Sequence, residues 1–156
     1  MKKREAYPLT GNPKKDTFRF NSVGTKGVIP KIIEFSPLPG GKWNLAFGDV
    51  KGNDWTDDVV SDNNDMRKVL QTVANAAHAF SERYPDRKIH IEPLDNPRKL
   101  LYNRLIQLKM SEIEETFLVE GILLDEDGAE MEPEKFDPDK LYDAFVLTRK
   151  KPNFEQ

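Results

Sequence analysis

The fold is decided by the stretch from Met66 to Tyr84, which reads MRKVLQTVANAAHAFSERY. When its residues are laid out at about 100° each, the apolar side chains fall within about 60° of one direction. They form one broad stripe, made of Met66, Val69, Leu70, Val73, Ala77, Phe80 and Tyr84. The pattern predicts a long amphipathic helix that begins after a cap at Asn64 or Asp65 and ends before Pro85.

Alternating apolar residues on the N-terminal side of this helix predict three strands. Residues 18–35 alternate on both sides of a glycine-rich turn at Gly24–Gly27, which is typical of a hairpin. A Pro- and Gly-rich break at residues 36–41 follows, and Trp43, Leu45 and Phe47 then predict a third strand.

The C-terminal half predicts a second helix and three more strands. Residues 88–92, 117–124 and 142–149 alternate in the manner of strands. Asn96-Pro97 is typical of an N-cap followed by proline in the first helical turn, and it predicts a helix after the fourth strand. We expect its buried side to be Leu101, Leu105 and Leu108.

Together these elements predict an α+β fold in the order β-β-β-α-β-α-β-β. We expect one domain over residues 17–150, with a mixed, mostly antiparallel six-stranded sheet and two main helices. Residues 1–16 are rich in lysine and show neither the periodicity of a helix nor the alternation of a strand, so we expect a flexible basic arm. Residues 151–156 are expected to form a tail.

Composition narrows the class of protein. The chain contains no cysteine and two histidines, which excludes disulfides and thiolate chemistry and disfavours a zinc site built from histidine. No apolar run approaches the roughly 20 residues that span a bilayer. We therefore expect a cytoplasmic protein with no membrane association.

Charge is distributed unevenly along the chain. Residues 110–143 carry thirteen acidic residues against two lysines, although the whole chain has a net charge of -3. A surface of that kind opposes phosphate backbones, so nucleic acid is not the expected partner. A protein or a small molecule is the expected partner.

The segment of residues 49–65 contains six aspartates, and it suggests a metal site with Asp57, Asp58 and Asp62 as ligands. The spacing lacks the glycine and the terminal glutamate of a calcium-binding loop. Turn formation and helix capping explain the aspartates better, so we expect no metal and no cofactor.

Trp55 lies inside this acidic segment and has no apolar neighbour in the sequence. Two interpretations remain open. The indole is either tucked onto the sheet or exposed as a binding anchor. Trp55 is therefore the candidate residue for a binding surface.

From Val59 onward, the order of elements resembles that of the acyl-CoA-dependent N-acetyltransferases, and residues 96–102 resemble their asparagine-to-tyrosine helix. The resemblance implies a cofactor contact at Asn96, with Arg98 beside it, and a general acid at Tyr102. Ser61 to Asp65 has no glycine, whereas that family binds pyrophosphate on a glycine-rich loop before its first helix.

Most of the chain also resembles a family of small uncharacterised bacterial proteins whose function is unknown. The resemblance rests on residues 18–27, 43–49, 57–63, 68–70 and 98–104. It implies no activity. We therefore expect a non-catalytic binding or regulatory protein, and the alternative is an acetyltransferase-like enzyme or a degenerate relative of one.

Overall fold

A computed structural model of the chain describes residues 6–56 and 63–151. The chain divides into two compact units. Unit 1 comprises residues 1–36 and 45–84, and unit 2 comprises residues 37–44 and 85–156. None of the helices in the described residues has the length and apolar character needed to cross a membrane.

The described residues form one mixed sheet of nine strands, together with the helices α1 and α2, which confirms the α+β class. The first five strands and the first helix are β1 (Thr10–Gly11), β2 (Thr17–Gly24), β3 (Gly27–Pro37), β4 (Lys42–Lys51), β5 (Asp54–Thr56) and α1 (Met66–Arg83). The others are β6 (Lys88–Ile91), α2 (Asn96–Ile113), β7 (Phe117–Ile122), β8 (Glu134–Lys135) and β9 (Ala144–Arg149).

The expected number of six strands was too low because β1, β5 and β8 are only two or three residues long. Such short strands have no detectable alternation. The hydrogen-bonded order is β1-β2-β3-β4-β6-β9-β7-β8, and β5 pairs with β4. β4 and β6 pair in parallel, whereas β1–β2, β2–β3, β4–β5, β6–β9, β7–β8 and β7–β9 pair antiparallel.

Unit 1 is built on α1, whose predicted stripe faces the sheet. Val69, Val73 and Phe80 are buried. The Phe80 ring stacks on Phe35 with centroids 4.1 Å apart, and Phe35 meets Phe18 edge-on. Aromatic contacts of this kind add to the free energy gained from burying apolar area.

Part of the expected arm belongs to the core of unit 1. Residues 10–11 pair with β2, and Tyr7 is buried against Phe20 with ring centroids 5.7 Å apart. The backbone N–H of Tyr7 donates to Thr72 Oγ1 at 2.8 Å. A single aromatic anchor in a lysine-rich segment leaves no periodic signal, which is why the pattern did not predict it.

Unit 2 has its core on β7 and β9. The rings of Phe136, Tyr142 and Phe145 lie 5.4 to 6.3 Å apart. Gly121 is required beneath them, because a Cβ at that residue would lie 2.3 Å from the Tyr142 ring.

Helix α2 is held by polar contacts rather than by a leucine stripe. Asn103 is the one buried residue of the helix, and its amide accepts from Tyr142 N at 2.8 Å and donates to Tyr142 O at 2.9 Å. The expectation for Leu108 was wrong, since that side chain is 59% exposed. The apolar residues of α2 are spread over all sides of the helix, so its sequence does not select one buried face.

Asp143 joins α2 to the end of β7. Its carboxylate accepts from Lys99 Nζ at 2.6 Å and from Leu124 N at 2.9 Å. Partial burial raises the pKa of the Asp143 carboxyl, but the hydrogen bonds and the Lys99 charge outweigh burial, so the pKa lies below its usual value.

Asp143→Asn should therefore remove a stabilising contribution that depends on pH. A carboxyl whose pKa is lowered by folding stabilises the protein above its unfolded pKa of about 3.9 and loses that contribution as pH falls through the folded value. We expect a loss of about 1 kcal/mol at pH 7 that shrinks below about pH 4. Urea unfolding from pH 7 to pH 2 measures it, and a loss that is independent of pH would contradict the assignment.

Candidate functional site

Trp55 lines a cleft of about 280 Å³ in unit 1. The other residues around the cleft come from β2, β3, β4, the turn between β4 and β5, and β5 itself. They are Arg19, Ile32, Val50, Gly52, Asn53 and Asp54. Of the predicted site residues that the structure describes, only Trp55 contributes to this cleft.

Strand register brings these side chains to one face of the sheet. Arg19 pairs with Ile32, and Val50 pairs with Trp55. Successive residues of a strand point to opposite faces, so the cleft lies on the face opposite the one that Phe18 and Phe35 present to α1. Within the described part of unit 1, α1 is the only helix, and it packs on the other face.

The backbone before Trp55 is fixed by a tight turn. Gly52 has φ 62°, a left-handed conformation that glycine adopts without steric cost. Asp54 Oδ1 then accepts from Trp55 N at 2.8 Å. Trp55 is half-buried, so part of its surface is open to a ligand.

Arg19 supplies the positive charge of the cleft. Its side chain is exposed, and within residues 6–56 and 63–151 it makes no ion pair or hydrogen bond. Ile32, which pairs with it, is buried and forms an apolar floor together with Val50. The cleft therefore combines a guanidinium, an indole and aliphatic carbon.

Exposed apolar surface continues along the same face. Val23 pairs with Val28, and these side chains are 57% and 62% exposed. They lie four residues along the strands from the Arg19 and Ile32 pair, a distance of about 13 Å. Exposed apolar side chains on this face therefore extend beyond the cleft.

A buried polar network holds the chain entering α1 against the β2–β3 turn. Asn63 is 1% exposed, donates to Gly27 O at 2.9 Å and accepts from Lys26 N at 2.6 Å. The Asp65 carboxylate accepts from Ser22 Oγ and from the Tyr7 hydroxyl. Burial raises the pKa of Tyr7, and the bond to Asp65 raises it further.

Asp65 was one of the two residues expected to cap α1, and it does occupy the N-cap position. Its side chain makes no capping hydrogen bond, because the carboxylate points to Ser22 and Tyr7 instead. The other predicted aspartates of the segment, Asp57, Asp58 and Asp62, lie outside the described residues.

The residues suggested by the acetyltransferase resemblance all lie at the start of α2. Asp95 is the N-cap, not Asn96, and its carboxylate accepts from Arg98 N at 2.9 Å. Asn96 is exposed, whereas Arg98 and Tyr102 are half-buried. These three positions occupy the first two turns of the helix.

A second group of polar residues was not predicted from the sequence. His90 is buried, and it lies close to Glu92 and Glu130. The spacing His90-x-Glu92, with Glu92 directly after β6, was a usable signal, because residues two apart in extended chain share a face. Glu130 carried no such signal, since a loop brings it to the strand.

These features define an α+β protein with a mixed sheet and an open cleft on one of its two units. The chain belongs to a family of unknown function, DUF6934, whose model matches residues 3–150. No curated protein matches the chain, and no solved structure matches it.

Proposed function

We propose that this protein is a non-catalytic binding protein that docks a partner polypeptide on the Trp55 cleft. The observation that carries the proposal is the meeting of Trp55 and Arg19 over the apolar floor of Ile32 and Val50. Tryptophan and arginine are the residues most enriched among those that dominate binding energy at protein interfaces.

The cleft selects the chemistry of the partner. A guanidinium forms a bidentate pair with a carboxylate, and within the described residues Arg19 makes no ion pair, because Asp54 of the same cleft accepts from Trp55 N instead. An apolar side chain beside that carboxylate would cover the exposed parts of Trp55 and Val50. The partner segment therefore carries an Asp, a Glu or a terminal carboxylate next to a large apolar residue.

The size of the surface favours a polypeptide over a small molecule. Pockets that enclose small molecules usually measure about 300 to 1,000 Å³, and this cleft of about 280 Å³ lies just below that range. Val23 and Val28 extend the exposed apolar surface about 13 Å beyond the cleft. A partner chain can cover both places at once.

The surroundings of α1 support a binding role rather than acyl transfer. An acyl-CoA enzyme would present free backbone N–H groups and glycine to a pyrophosphate before its first helix. Here Asn63 is used to hold the β2–β3 turn, and the Asp65 carboxylate lies at the N-cap of α1. The absence of cysteine fits a cytoplasmic location.

Selection of random 12-residue peptides displayed on phage against the full chain tests this proposal. We expect the enriched peptides to share a carboxylate next to an aromatic or large aliphatic residue. Trp55→Ala should weaken the binding of a selected peptide at least 30-fold, corresponding to about 2 kcal/mol. Arg19→Gln should weaken it about tenfold.

Arg67→Gln is the matched control, because Arg67 is also exposed but lies on α1. It should change the affinity less than twofold. Peptides that bind the Trp55→Ala and Arg19→Gln variants as tightly as the wild type would show that this cleft is not the binding surface. A selection that enriches no shared sequence would have the same consequence.

A further inference from the structure

Unit 2 contains a convergence of one histidine and two glutamates. His90 lies on β6, Glu92 follows the last residue of that strand, and Glu130 belongs to the loop between β7 and β8. One ligand atom from each residue lies within 4.8 Å of the other two. His90 is buried, whereas both glutamates are exposed.

His90 is aimed into this group and is incompletely satisfied. Its side chain is 6% exposed, and Nε2 lies 3.3 Å from Glu130 Oε2. In the part of the chain that the structure describes, the other ring nitrogen, Nδ1, is buried and has no hydrogen-bond partner. The two nitrogens of an imidazole point in different directions, so Nε2, and not the unpaired Nδ1, is the ring atom that faces Glu130.

The backbone on both sides holds His90 and Glu130 in place. His90 pairs with Asn44 on β4 and with Val146 on β9, so the residue sits inside the sheet. Glu130 forms a bridge with Leu124, beside the bond from Met131 N to Leu123 O at 2.9 Å. The loop thereby returns to the sheet with its glutamate beside the imidazole.

We propose that His90, Glu92 and Glu130 bind a divalent first-row transition-metal ion such as Zn²⁺. An imidazole nitrogen with two carboxylates suits this class of ion, whereas Mg²⁺ and Ca²⁺ prefer oxygen ligands alone. Ligands of one tetrahedral zinc ion lie about 3.3 Å apart, given zinc–ligand bonds of about 2.0 Å. His90 Nε2 and Glu130 Oε2 already lie at 3.3 Å.

Glu92 completes the site by a side-chain movement. Its exposed carboxylate has to approach the other two ligand atoms from a separation of at most 4.8 Å. Three protein ligands leave a coordination position open for water or for a further ligand. The site lies in unit 2 and the Trp55 cleft lies in unit 1, so the two proposals can be tested independently.

A simple ion pair between His90 and Glu130 is the competing explanation. It requires nothing of Glu92, whereas a metal site requires all three side chains. Glu92→Gln therefore separates the two, and its exposed position leaves folding intact. Glu132→Gln is the matched control, because Glu132 is an exposed glutamate of the same loop outside the cluster.

Titration of the full chain with ZnCl₂ by calorimetry and by imidazole ¹⁵N NMR provides the test. The chain has two histidines, and His78 is exposed on α1, so its ring reports any nonspecific binding. We expect saturable binding of one ion in the micromolar range with a shift at the His90 ring nitrogens and none at His78. Glu92→Gln and Glu130→Gln should each raise the Kd at least tenfold, Glu132→Gln less than twofold, and MgCl₂ should not compete.

Three results would overturn the proposal. The first is the absence of saturable binding at 100 μM ZnCl₂ in a folded protein, where we expect saturation in the micromolar range. The second is an equal rise in Kd for Glu92→Gln and Glu132→Gln, which would show attraction to the acidic loop as a whole. The third is a shift at His78 as large as that at His90.

Discussion

Phe80→Ala should lower the free energy of unfolding by about 3–5 kcal/mol, because it removes a ring at the centre of the unit 1 core and leaves a cavity. Phe80 is fully buried. Its ring stacks on Phe35 at a centroid distance of 4.1 Å with 2° between the planes, and it also contacts the Tyr84 ring at 5.3 Å. The variant loses both aromatic contacts together with the buried area.

Urea unfolding followed by circular dichroism measures this loss. Leu108→Ala is the control, since Leu108 is a large apolar residue of the other helix that is 59% exposed. It should cost less than about 1 kcal/mol, because little apolar area is uncovered. A loss below about 1 kcal/mol for Phe80→Ala would mean that α1 does not present the stripe from Met66 to Tyr84 to the core.

Lys31→Met should also lower the free energy of unfolding by about 3–5 kcal/mol, because it leaves a buried carboxylate without its cation. Lys31 Nζ lies 2.6 Å from Asp49 Oδ1, and the two side chains are only 8% and 6% exposed. Within the described residues, Lys31 is the one cation paired with Asp49.

The double variant Lys31→Met with Asp49→Leu tests the physical reason. Replacing both members of a buried ion pair by apolar groups is often neutral or stabilising, so the double variant should be more stable than Lys31→Met alone. Chemical denaturation of the single and double variants gives the coupling energy. If the losses in unfolding free energy of Lys31→Met and of Asp49→Leu add up to the loss of the double variant, the unpaired Asp49 carboxylate is not the source of the effect.

The long elements of the fold were predictable because each carries its own periodicity. Helix α1 was expected from Met66, and the structure places its first residue there. The hairpin of β2 and β3 was equally local, since its turn at Gly24–Gly27 joins two alternating runs. In both cases the signal lies within about 20 residues of sequence.

The cleft could not be assembled from the sequence, because its residues meet only through the order of the strands. Arg19 and Trp55 approach each other only after β2, β3, β4 and β5 have paired side by side. Periodicity predicts that a strand forms but does not predict its neighbour. Trp55 was therefore recognised as a candidate, while its cationic companion was not.

The histidine cluster shows the same limit. His90 and Glu130 are 40 residues apart, and a loop that lacks any period brings them together. Alternation around Ile89 and Ile91 predicts only that His90 lies on the other face of β6 from these two residues. The structure buries both faces of β6, so alternation does not distinguish an inside from an outside there.

The central claim, that Trp55 anchors a bound polypeptide, is tested most directly by ¹⁹F NMR of protein labelled with 5-fluorotryptophan. The chain has two tryptophans, and Trp43 lies under the Arg87 guanidinium in unit 2, 4.0 Å from its ring centroid, so it serves as the internal control. Saturation with a selected peptide should shift the Trp55 resonance and leave the Trp43 resonance unchanged, and Arg19→Gln should raise the peptide concentration needed about tenfold. A saturated complex in which the Trp55 resonance does not move would contradict the account.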